Sequence, residues 1–174
     1  MNLRKSIKIS ILLTSSVFLF GLAASSGSHP AKPEHAPEGL PGWGCMAVGG
    51  TILTNFGAID ANTTMGTATG DLRGAVSGTL LGAPGPGAGN TVVFHVQHHW
   101  VTESGDTLSF DPATATTVPL SPTLFAIVTY PLHLTGGTGR FAGATGDMTA
   151  IGEVDLVKGT VFRYTGQVCL ARDN

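Results

Sequence analysis

The sequence predicts an all-β domain, an antiparallel sandwich or barrel, on three observations. Of its 174 residues, 25 are glycine and 10 are proline, so a helix longer than two turns would meet a breaker almost everywhere. Between the breakers, threonine, valine and alternating apolar positions follow the period of a pleated strand with one buried face. The resulting segments are closely spaced, as in sandwiches and barrels.

We place strands near Cys45–Asn55, Thr67–Leu81, Thr91–Glu103, Thr107–Thr117, Leu124–Thr135, Ala144–Val157 and Thr160–Ala171. Glycine bends are expected to split several of them. Alternation assigns their faces. In the last strand Phe162, Tyr164, Val168 and Leu170 share the inward face, opposite Arg163, Thr165, Gln167 and Cys169. In the Leu124 strand the inward set is Leu124, Ala126, Val128, Tyr130, Leu132 and Leu134. Near the start, Met46, Val48 and Ile52 face away from Cys45. Both cysteines therefore belong outside the apolar face.

Residues 1–24 read as an export signal: Arg4, Lys5 and Lys8 precede an uncharged run from Ile9 to Leu22, then Ala23, Ala24, Ser25 and Ser26. That run is shorter than the ~20 residues that cross a bilayer, and no second long apolar run exists, so no membrane span is expected after cleavage. Residues 25–42 are rich in proline and polar groups without apolar periodicity and read as a disordered tether. Residues 43–174 then form one domain. The expected location is secreted or periplasmic, where Cys45 and Cys169 pair as a disulfide between the first and last strands. Formal charge is −2 and no basic patch is present, which excludes nucleic acid as the expected partner.

One strand carries His95, His98, His99 and Trp100. A metal site is not expected, because His95 and His99 share a face but stand ~13 Å apart at 3.3 Å per residue, while His98 points the other way. His98 falls on the apolar face with Phe94, Val96 and Trp100. A histidine there stays neutral or finds a partner, and the inward tyrosines, Tyr130 and Tyr164, are the candidates. Two readings stand: a satisfied core histidine, or a ligand cavity in which His98, Tyr130 and Tyr164 orient a molecule or move a proton between walls of Phe94, Trp100 and Phe162.

Other segments are structural in expectation. Glu103-Ser104-Gly105-Asp106 has hairpin-turn chemistry with solvated acids. Residues Gly82 to Asn90 form a lid or a loose loop, the loop being favoured. Asp60 is a turn residue or a rim carboxylate over a cavity mouth. The run from Thr135 to Gly146 holds Gly136, Gly137, Gly139 and Gly143, but no helix follows to present its N-terminus to a pyrophosphate, so it is not a dinucleotide fingerprint. It reads as a tight connection in which glycines take positive φ and Phe141 plugs the barrel end. A fainter copy stands at Thr69-Gly70-Asp71-Leu72-Arg73-Gly74-Ala75.

The segment Gly-Gly-Thr-Gly-Arg-Phe-Ala-Gly-Ala-Thr-Gly resembles the glycine-rich connection of the allene oxide cyclase and dirigent barrel group. The resemblance extends loosely over residues 43–170, and its specific motif spans about a dozen of them. It implies an eight-stranded antiparallel barrel with an apolar interior, often a dimer or trimer, needing no metal or organic cofactor. Members cyclise an unsaturated fatty-acid epoxide or steer the coupling of phenolic radicals. Their functional positions do not map onto this chain outside the motif, except a loose match of Asp60 to an early aspartate of dirigent proteins. Two functions follow. One is a cavity protein that binds, or isomerises or cyclises, an apolar small molecule without a cofactor. The other is a non-catalytic exported barrel that binds a protein or glycan through its outer face.

Overall fold

The structure is a computed structural model and describes residues 43–171. The signal and tether segments lie outside the described residues. Eleven strands form one antiparallel sheet: β1 (Trp43–Phe56), β2 (Thr63–Ala68), β3 (Gly74–Leu80), β4 (Gly85–Pro86), β5 (Val92–Thr102), β6 (Thr107–Phe110), β7 (Ala113–Pro119), β8 (Leu124–Thr129), β9 (Pro131–Gly137), β10 (Thr145–Asp155) and β11 (Gly159–Ala171). The sheet closes on itself. From β5 it runs through β6 and β9 at one end, or β7 and β8 at the other, to β10, then β11, β1, β2 and β3, and back to β5. Because β6 and β7, β8 and β9, and β3 and β4 succeed one another along the same staves, the barrel has eight strand positions. The predicted fold class is the observed one.

Three predicted strands are split. Thr67–Leu81 is interrupted by the turn Thr69–Arg73, and Thr107–Thr117 by Asp111 and Pro112, where proline removes a ladder donor. The third split corrects the inward set of the Leu124 strand. Phe125 faces inward, whereas Val128 is 52% exposed. Thr116 pairs with Thr129 but Thr117 with Ile127, so Val128 is an extra residue on β8, and such a bulge flips the faces on one side of it. Tyr130, Leu132 and Leu134, beyond the bulge, are buried as expected.

The two ends of the barrel differ. At one, the turns after β2, β5 and β9 gather, and Leu72 and Phe141, both fully buried, fill the interior with Trp100 and Tyr164. The disulfide Cys45–Cys169 joins facing residues of β1 and β11 at this end, on the outer wall. Leu72 and Phe141 occupy equivalent positions in the two Thr-Gly copies, so the short repeat marks two plugs. Positive φ is needed at Gly139 and Gly143 of the second copy. Gly137 corrects the expectation: its φ is ordinary, and glycine is required because a Cβ there would collide with the Thr107 carbonyl. Arg140 stacks over the Phe141 ring at 4.6 Å.

At the other end lie the turns after β1, β3, β7 and β10. The Leu81–Thr91 connection is a short arm rather than a loose loop, since Gly85 and Pro86 pair with Val93 and Val92. Here Phe56, Leu80, Val92, Ile127 and Leu156 are only partly covered, which makes this the open end.

Candidate functional site

A cavity of about 50 Å³ sits in the barrel between the plugs and the open end. Its lining is apolar and carries no formal charge, with His98 and Tyr130 the titratable members. Alternation along β5 brings Phe94, Val96 and His98 to the wall, and β9, entered through Tyr130 after the bulge, brings Tyr130 and Leu132. Ala115 and Ala150, both buried, leave the space that larger side chains would fill. Phe56 and Leu80 stand toward the mouth.

His98 and Tyr130 form one hydrogen-bonded pair, with Tyr130 Oη 2.8 Å from His98 Nε2. Gly78 faces His98 across the β3–β5 ladder. The His98 ring stacks edge-on to Phe110 at 6.0 Å between centroids, and the Tyr130 ring to Phe162 at 5.7 Å. His98 is partly buried and lines the cavity, and the apolar surroundings set its protonation. Desolvation lowers its pKa to about 4, and the same cause raises that of Tyr130. Both are neutral at physiological pH. His98 Nδ1 is buried and has no hydrogen-bond partner among the described residues.

The remaining polar groups in the lining are threonines with partners inside the wall. Thr54 and Thr160 Oγ1 atoms lie 2.7 Å apart, and Thr64 donates to the Gly78 carbonyl at 3.3 Å. Sequence reasoning did not place these hydroxyls inside. The alternation of β1 and β11 carried the information, but a threonine fits either face of a strand.

The structure brings His98, Tyr130, Phe94 and Phe162 to the cavity and separates the other candidates from it. Tyr164 belongs to the closed end: it accepts the Leu72 N–H at 3.1 Å and donates to the Thr69 carbonyl at 2.9 Å. Burial raises its pKa, and the Leu72 N–H partly offsets that rise. Trp100 donates from Nε1 to the Leu72 carbonyl at 2.8 Å and meets Tyr164 edge-on. Tyr164 and Trp100 are thus the latch that holds the Leu72 plug, outside the cavity lining. Asp60 is exposed in the turn after β1, accepting the Asn62 N–H at 2.7 Å and the Thr63 hydroxyl at 3.1 Å. It closes a turn at the open end and does not line the cavity. His95 and His99 point outward, and His95 Nδ1 lies 3.1 Å from Thr114 Oγ1.

The fold and this interior define an antiparallel barrel closed at one end around a small apolar pocket with a single polar pair. No protein-family model matches the chain, and no curated protein matches it. Among solved structures it is similar to a pterocarpan synthase dirigent protein, with 16% sequence identity over 76% of this chain and 88% of that one, at a TM-score of 0.32. That protein falls in the group the glycine motif resembles, while the barrel itself is established by its own strand pairing.

Proposed function

We propose that the protein is an exported barrel that binds an apolar small molecule in its interior. The observation that supports this reading is an apolar cavity in the barrel interior whose wall carries one neutral polar pair, His98 and Tyr130. Apolar cavities lined by a few convergent polar groups are where small molecules bind.

Size limits the ligand. A single water needs roughly 10–15 Å³ by the measure in which this cavity has about 50 Å³, and drug-sized pockets run from about 300 Å³ upward. The ligand, or the part of it inside, is therefore small. Isomerisation or cyclisation would fall to the His98–Tyr130 pair, with the neutral imidazole as base and the phenol as acid. Residues 1–24 and the disulfide support export, since a disulfide persists in an oxidising compartment.

Filling the cavity tests the proposal. Ala115→Leu should keep the fold, with an unfolding temperature equal to or above that of the parent, and should abolish capture of apolar compounds from a lipid and terpenoid mixture. If the interior were already filled, the same change would overpack it, costing about 1–3 kcal/mol, and the parent would capture nothing.

The outer wall supports the second reading. Leu53 and Val161 face each other across β1 and β11, Ile151 lies diagonally on β10, and all three are exposed. Such an apolar patch suits a protein partner. Val161→Lys would then abolish complex formation and leave small-molecule capture intact.

A further inference from the structure

We propose that the open end of the barrel is a lipid-binding rim, which docks the protein on a membrane surface through aliphatic side chains carried by its turns. Docking through the rim does not depend on what the cavity holds.

Four connections meet at this end, and each presents one large aliphatic side chain to solvent. They are Ile59 after β1, Leu81 after β3, Leu120 after β7 and Val157 after β10, all more than half exposed. A singly exposed apolar residue is ordinary on a protein surface. Turns, however, favour glycine, proline and short polar residues, and here every connection of one end departs from that in the same way. The plugged end is the opposite. Its turns carry Asp71, Arg73, Glu103, Asp106 and Arg140, and their large apolar residues, Leu72 and Phe141, are fully buried in the core.

Charge is scarce at the rim. The Leu81–Thr91 connection and the turn between β7 and β8 hold no charged residue. In the first turn Asp60 accepts from the Asn62 N–H and the Thr63 hydroxyl. In the last, Asp155 accepts from the Val157 and Lys158 N–H groups and has Lys158 Nζ 3.8 Å away. A nearly neutral rim complements a zwitterionic lipid surface and offers no basic cluster to an anionic one. Area weighs against a protein partner: four such side chains offer on the order of 400 Å², roughly half of the ~800 Å² that each partner buries in a stable interface. A fluid lipid surface needs no matching relief. Each side chain sinks among the acyl chains separately, while the turn backbone stays hydrated at headgroup depth. Phe56, Leu80, Val92, Ile127 and Leu156, partly covered, lie behind the rim, so the docking face continues into the apolar mouth.

The test is flotation of the protein purified from its own host, with vesicles of phosphatidylcholine alone and with vesicles of equal parts phosphatidylcholine and phosphatidylglycerol. The parent should float with both, no more strongly with the anionic ones, and should stay bound in added salt. Each of Ile59→Ser, Leu81→Ser, Leu120→Ser and Val157→Ser should weaken partitioning roughly fivefold. The quadruple variant should lose it with an unchanged unfolding temperature, and Val161→Ser on the outer wall should leave it intact. In a separate Leu120→Trp variant, lipids with brominated acyl chains should quench the new tryptophan and spare Trp100, which is buried at the plugged end; this readout needs no loss of binding. A parent that does not float, flotation that requires phosphatidylglycerol, or flotation that survives the quadruple change overturns the proposal. Self-association of the lipid-free parent that the quadruple change abolishes, read by sedimentation, also overturns it and makes the rim an interface between copies. Small-molecule capture, measured without vesicles, is unaffected by any of these outcomes and tests the cavity reading separately.

Discussion

Burial sets the protonation of His98 in the folded barrel against that in the unfolded chain. Its pKa falls from 6.5 to about 4 on folding through desolvation, so between those values the unfolded chain binds a proton that the folded one refuses. The stability tied to this difference is present above about pH 6.5 and is lost as the pH falls toward 4, to a total of at most about 3 kcal/mol. His133 has the opposite sign: its hydrogen bond to Asp147, at 2.8 Å, raises its pKa, so its contribution is lost as the pH rises. Urea unfolding across this range should therefore show a shallower acid decline for His98→Phe than for the parent, since both retain His133. Equal slopes would show that His98 is hydrated in the folded state. The inward position of His98 was legible from its place between Val96 and Trp100 on a strand of period two. The fate of Tyr164 was not, although it lies inward as expected. Its hydroxyl partners, Leu72 and Thr69, sit in a turn more than ninety residues earlier, and no local pattern records that meeting.

At the scale of elements, alternation gave the faces of β1, β5 and β11 correctly because each is long and keeps one register. It misassigned β8 because one extra residue, Val128, reverses the faces without leaving a mark in the pattern of apolar residues. The splits at the Thr69–Arg73 turn and at Asp111 and Pro112 were foreshadowed by glycine and proline, yet a strand bent at a glycine and a strand ended by one look alike in sequence. The glycine-rich connection shows how finely such turns are fitted. Gly137→Ala should destabilise the barrel by about 1–3 kcal/mol, because its Cβ would meet the Thr107 carbonyl. Gly44→Ala, with open space around it, should change stability by only a few tenths of a kcal/mol. Chemical denaturation of the two variants checks the contrast, and equal losses would contradict it.

The described domain is a closed sheet with a plugged end and a more open one, and the disulfide holds the plugged end. The cysteines are 124 residues apart, so the bond removes the freedom of nearly the whole unfolded domain and contributes about 4 kcal/mol in the loop-entropy account. Reduction should lower the thermal midpoint by several degrees while the native barrel persists at room temperature, as read by far-ultraviolet circular dichroism; an unchanged midpoint would contradict this. The pairing was legible because the strands with Cys45 and Cys169 bracket the domain and both cysteines alternate away from the apolar face. The cavity size was not legible, since it depends on which small side chains, Ala115 and Ala150 among them, come to its wall.

The most direct test of a ligand-binding interior is native mass spectrometry of the protein purified from its own host. The account predicts an added mass of one apolar small molecule per chain, absent from the Ala115→Leu variant purified in the same way. A parent protein that carries no added mass, and takes up none from a lipid and terpenoid mixture, would contradict it and leave the outer wall as the working surface.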